Sequence, residues 1–164
     1  MKNLVLYDSL TGNTKKVANA IASSLNCDIK GIDEKLNLDD YERVIFGFFV
    51  DKGLMSQKAK DIAIKIKDKK VGIFFTLGAE PNSQHADKCK ARARDFFEKN
   101  SNLVEEIFCS QGAIDPKLIE KMKQIAQNSG QTIEPKREAR WSEAASHPDE
   151  NDLKNAVKAF AKFR

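Results

Sequence analysis

Two short runs decide most of what this chain can fold into: RVIFGFF at 43–49 and VGIFFTL at 71–77. Each is apolar at consecutive rather than alternate positions, so both faces of the strand have to be covered. That is the pattern of central strands in a parallel sheet flanked by helices on both sides. Weaker strand signals stand at 3–8, 28–32 and 103–110. Between them the apolar period changes to that of amphipathic helices at 14–25, 56–67, 86–98, 116–127 and 149–163. Val17, Ala18, Ile21 and Leu25 mark the inner stripe of the first. Alternation of this kind builds βαβ units. Five strands with one reversal point predict a doubly wound α/β sheet of order 2-1-3-4-5.

The chain has 164 residues, 41% apolar and 32% charged. That is enough to bury a core without disulfides or a structural metal. One domain spanning 1–164 is expected, with a polar, irregular wrapping segment at 129–147. No apolar run approaches the ~20 residues of a membrane span. The first residues hold too short an apolar stretch for an export signal, which makes a cytoplasmic protein the expectation. Cys27, Cys89 and Cys109 are widely spaced, and His85 and His147 are the only histidines, so no zinc pattern exists. A net charge of +4 is below that of a dedicated nucleic-acid binder.

The chemistry concentrates directly after the first strand, at Ser9, Leu10, Thr11, Gly12, Asn13 and Thr14. Three hydroxyls, an amide and a glycine stand where the chain turns from strand to helix. Such a turn leaves backbone N–H groups pointing at one spot, with the positive end of the helix dipole behind them. Neutral donors without a lysine suit a phosphate monoester better than a triphosphate with magnesium. The GxxxxGK[ST] and GxGxxG loops are both absent.

This hexapeptide resembles the phosphate loop of flavodoxins, [ST]-x-T-G-x-T after the first strand, and the five-strand layout extends the resemblance over nearly the whole chain. The resemblance implies a flavodoxin-like fold with non-covalently bound FMN, its phosphate held by 9–14. It also implies that the isoalloxazine lies between the loops after the third and fourth strands. In this sequence those are Phe49, Val50, Asp51, Lys52 and Gly53, and Leu77, Gly78 and Ala79. Both loops lack the tryptophan and tyrosine that many flavodoxins stack on the ring, and the chain is not acidic as flavodoxins usually are.

The implied function is electron transfer to or from a partner oxidoreductase. The alternative is an FMN-dependent reductase acting directly on a small molecule of quinone or tetrapyrrole type. A remote alternative is a receiver-type phosphoacceptor, with Asp8, Asp51 and Thr76 as partial matches but no lysine after the fifth strand. No side chain is an evident proton donor, while Asp51 and Glu80 would lower the flavin potential if they approach the ring.

Basic residues gather on two helical segments, Lys58 to Lys70 and Lys88 to Lys99, which right-handed crossovers place on one side of the sheet. They are a candidate docking surface for a redox partner with an acidic face; neither nucleic acid nor membrane is expected as a partner. Trp141 is expected to pack its segment onto the sheet, with folding back over the flavin as the other reading. His147 is expected at a helix entry, next to Asp149 and Asp152 as a capping pair.

Overall fold

A computed structural model describes residues 1–164. Five parallel strands, β1 (Asn3–Tyr7), β2 (Asp28–Gly31), β3 (Arg43–Phe49), β4 (Lys70–Leu77) and β5 (Leu103–Gln111), form one sheet in the order β2-β1-β3-β4-β5. β3 and β4 run side by side from Arg43 opposite Lys70 to Phe49 opposite Thr76. Their continuous apolar runs are buried on both faces, as the pattern requires.

Helices α1 (Asn13–Leu25) and α6 (Glu150–Ala159) cover one face, packing Val17, Ile21 and Phe160 against Val5, Ile45 and Phe74. Helices α2 (Gln57–Ala63) and α3 (Gln84–Glu98) cover the other, burying Ala59, Ala63, Cys89 and Phe97 against Phe46, Phe48 and Phe75. The two basic segments therefore share one side of the sheet. At Gly47 a Cβ would stand 2.0 Å from Cζ of Phe74, so the ring uses the space that a side chain would need. The chain ends meet at the amino edge of the sheet, where the Asn3 side-chain amide donates to the Phe163 carbonyl at 2.7 Å. Arg43 stacks its guanidinium over the Phe163 ring and pairs with Glu105 at 2.8 Å.

Three elements differ from expectation. The last helix, expected to reach Phe163, ends at Ala159, and a 3-10 turn follows at Ala161–Phe163. α2 stops at Ala63 rather than continuing to Lys67. Just beyond its end the chain is held from outside: the Asn100 amide donates to the carbonyls of Ile64 and Ile66, and Asn102 donates to that of Ile66. The chain then turns so that Ile66 is buried while Ile64 stays exposed. The segment 129–147 is not irregular throughout. After α4 (Pro116–Asn128) it forms a further helix, α5 (Pro135–Ala144), which begins on a proline at its first position. The Asp149–Asp152 pair forms a reciprocal capping box at the start of α6. No helix is long and apolar enough to cross a membrane, and all three cysteines are free.

Candidate functional site

The site begins where β1 gives way to α1. Gly12 caps the helix at φ 98°, a left-handed conformation that favours glycine, and the position of its absent Cβ faces open space. Ser9 Oγ accepts the N–H groups of Gly12 at 3.1 Å and Lys15 at 3.3 Å, which shapes the turn from inside. The N–H groups of Leu10, Thr11, Asn13 and Thr14 make no hydrogen bond within the chain. These uncommitted donors lie at the positive end of a 13-residue helix.

Two loop side chains also tie the turn to neighbouring strands. The Thr14 and Thr76 hydroxyls hydrogen-bond at 2.9 Å, both buried, joining the loop to the end of β4. The Asn13 amide donates to the Ala113 carbonyl at 2.8 Å and to Thr11 Oγ1 at 3.3 Å, joining it to the segment after β5. Thr11 and Ser9 keep donor capacity toward the open side, whereas Thr14 and Asn13 serve first as struts.

Beside this loop opens a cavity of about 360 Å³. Ser9, Leu10, Thr11, Asn13 and Thr14 form its floor. Phe49 and Val50 from the end of β3, and Leu77, Gly78 and Ala79 from the end of β4, form one wall. Carboxyl ends of strands beside a reversal of strand order are where such sheets bind ligands. Their backbones are fixed: Val50 N–H donates to the Thr76 carbonyl at 2.9 Å, and Gly112 N–H to that of Leu77 at 2.8 Å.

Asp51, Lys52 and Gly53 do not line this cavity. They form a tight turn closed by Asp51 N–H donating to the Leu54 carbonyl at 2.7 Å, with Lys52 and Gly53 at φ 52° and 87°. Arg92 of α3 donates to the Gly53 carbonyl and holds the turn toward α3. Glu80 is also outside the lining. Hence neither carboxylate expected to lower the flavin potential stands on the cavity wall.

Most of the rest of the lining comes from beyond β5. Gly112, Ala113, Ile114 and Asp115 follow β5; Leu118 and Met122 come from α4, and Arg137, Arg140 and Trp141 from α5. Pro135 following a capping position, with Trp141 and Ala144 three residues apart, was the signal that could have revealed α5. Trp141 is 8% exposed, and the Arg137 guanidinium lies over its ring, 5.5 Å from the centroid. Trp141 is thus buried and lines the cavity.

Outside the cavity, His147 Nδ1 and Asp152 Oδ2 lie 2.5 Å apart, with Glu143 at 3.4 Å from Nε2. The bond to Asp152 raises the imidazole pKa above its ordinary value. The His147 carbonyl accepts the Ala113 N–H at 2.9 Å, so this helix entry also steadies the segment after β5. Burial raises the Asp8 carboxyl, against the opposing effect of a 3.0 Å hydrogen bond from Ser56. Burial pushes the Cys89 thiol up to about 11, leaving it a packing group rather than a nucleophile.

The family described as Flavodoxin domain matches residues 4–161. The chain belongs to the flavodoxin family. It is 32% identical over 169 residues to the flavodoxin-like domain-containing protein BilS of Clostridioides difficile (strain CD3), covering 99% of this chain and 95% of that relative. Among solved structures it resembles oxidised Flavodoxin 2 from Bacillus cereus, with TM-score 0.59, 17% identity and full coverage of both chains. It also resembles a flavoprotein in complex with FMN from Lactobacillus acidophilus NCFM, with TM-score 0.54 and 17% identity over 73% of this chain and 97% of that one.

Membership supports FMN as the cofactor, and the residues fit it. Uncommitted amides, neutral hydroxyls and the bare Gly12 backbone suit a phosphate monoester, while the partly apolar cavity suits a ring. The receiver reading gives way to the family, and Thr76 is engaged with Thr14.

Proposed function

We propose that this flavodoxin-family protein is an FMN-dependent electron carrier for a partner oxidoreductase. Residues 9–14 would hold the phosphate, and Phe49, Val50, Leu77, Gly78 and Ala79 would flank the ring site. FMN supplies the redox chemistry; the chain binds it, positions it and sets its charge environment. The observation that carries the carrier reading is the lining of the cavity. About 360 Å³ falls within the ~300–1,000 Å³ of small-molecule sites, which suits the cofactor. Neither histidine and no cysteine stands on its wall to relay protons to a second substrate.

The α2–α3 side is the proposed partner surface. Lys58, Arg94 and Lys99 are paired with Asp33, Glu98 and Asp95, whereas Lys60, Lys67 and Lys88 have no carboxylate partner within the chain. Unpaired surface charge acts chiefly on the association rate. The test is anaerobic. Dithionite-reduced protein should deliver its electrons stoichiometrically to ferricyanide, and NADPH-to-menadione turnover should not exceed that of free FMN. Catalysed turnover well above that level would replace the carrier reading with the direct reductase. Transfer to an acidic acceptor protein should slow with added salt, since the screening length falls from ~10 Å at 0.1 M to ~3 Å at 1 M.

A further inference from the structure

The loops after β3 and β4 carry no tryptophan or tyrosine near the ring site, yet the cavity has an aromatic wall. Two aromatic residues line it: Phe49 at the end of β3 and Trp141 of α5. Trp141 comes from a helix that follows all five strands. Only 8% of it is exposed, and Arg137, one helical turn earlier, places its guanidinium over the ring at 5.5 Å from the centroid. Arg137 in turn donates to Met122 Sδ at 3.0 Å, linking α5 to α4. The indole is therefore held in its own helix, with Arg137 over its ring, while what remains exposed of it forms part of the cavity lining. Aromatic groups attract one another edge-to-face as well as stacked, so even a small exposed part of a fixed indole favours a flat π-system beside it.

We propose that Trp141 is the aromatic wall for the isoalloxazine, so that α5 takes over the capping role that the strand loops of this chain lack. This rests on the FMN reading above. It adds a residue, a helix and a direction of approach to that reading. The flavin is covered from the α4–α5 side, and Arg137 fixes the indole in place.

Trp141 is the only tryptophan of the chain, so it can be observed alone. The protein is produced with 5-fluorotryptophan, and its single ¹⁹F resonance is followed in the apoprotein during addition of FMN or of inorganic phosphate. FMN should shift the resonance through the ring current of the flavin. Phosphate, which carries no ring current, reports occupancy of the loop or of Arg137 and Arg140 alone, and the shift with FMN should exceed the shift with phosphate. A companion variant, W141L, should bind FMN about tenfold more weakly and leave the bound flavin several-fold more fluorescent, while W141F should stay near the wild type in both. FMN binding is scored separately, by flavin absorbance that stays with the protein on gel filtration. Absence of retained flavin would overturn the FMN reading itself. Retained flavin with an unmoved ¹⁹F resonance would overturn only the proposed role of Trp141, and it would do so even if W141L failed to fold.

Discussion

The two walls of the cavity are built on different physical principles. The strand wall, ending in Phe49, Val50, Leu77 and Gly78, is the end of a parallel ladder whose residues are buried on both faces. Its position follows from register, which a buried two-sided strand cannot change without exposing its core. The helical wall of α4 and α5 is attached at its edges. No residue of α4 is fully buried, and Leu118 and Ile125 are 49% and 58% exposed. Its fixed points are the buried Trp141 and Ala144, and the His147 carbonyl that accepts from Ala113. One wall is set by the fold. The other is set by a few contacts, which leaves it free to adapt cavity shape and charge without disturbing the sheet.

The largest expected effect breaks the strand wall. Gly47→Ala forces a Cβ into the Phe74 ring and should cost about 3 kcal/mol, the upper part of the overpacking range. Thermal or urea unfolding would measure it, and an unchanged midpoint would mean that the ladder is far more compliant than its register implies. A small-to-large change on the outer side of α5, Ala139→Ser at an exposed position, should stay within about 0.5 kcal/mol.

Next comes the floor that both walls share. Thr11→Val should weaken FMN by up to about tenfold, the worth of one hydrogen bond, while leaving riboflavin affinity unchanged, because riboflavin has no phosphate. Titration of the apoprotein with both ligands decides it. Equal losses would move the phosphate away from 9–14.

The charges of the helical wall give a smaller effect. Replacing Arg137 and Arg140 together by glutamine should move the flavin midpoint potential to more negative values, since nearby positive charge favours the more negative, reduced ring. Potentiometric titration against dyes would show it, and a shift in the opposite direction would place both guanidinium groups away from the ring. Asp115, on the same wall, opposes them with one negative charge.

The smallest effect concerns an anchor of the helical wall. A His147 pKa raised by Asp152 contributes stability that is fully present below the ordinary imidazole value of 6.5 and is lost as pH rises through the folded value. Stability should therefore decline modestly from about pH 6.5 upward. His147→Asn should remove that slope, which thermal melts from pH 5.5 to 8.5 would show. An identical slope in the variant would assign it to other groups.

The same contrast explains what the sequence revealed. RVIFGFF and VGIFFTL are readable because covering both faces leaves them few options, and sheet order and the two covered faces follow from them. The anion loop is readable because its residue types have few other reasons to gather after a strand. The reach of the ring site is less readable. Asp51, Lys52 and Gly53 follow β3 as Phe49 and Val50 do, but the Arg92 bond and the Asp51–Leu54 closure turn them aside, and neither leaves a local pattern. α5 leaves little trace in the sequence because its ten residues bury only Trp141 and Ala144, too few to show a helical stripe. The end of α2 is not legible locally, because the asparagines that hold the carbonyls of Ile64 and Ile66 just past it lie 36 residues downstream in sequence.

The bond between Asn3 and the Phe163 carbonyl has a practical side. It brings the two ends together at the amino edge of the strands, while the ligand cavity opens at the carboxyl edge. A fusion partner, a surface tether or an electrode linker attached at either end would therefore sit on the far side of the sheet, leaving the redox face open to solution. A short peptide could also join the ends into a ring, with new termini cut in the exposed turn around Glu34 and Lys35. Such a permuted chain would instead carry its attachment point at the carboxyl edge, beside the anion loop.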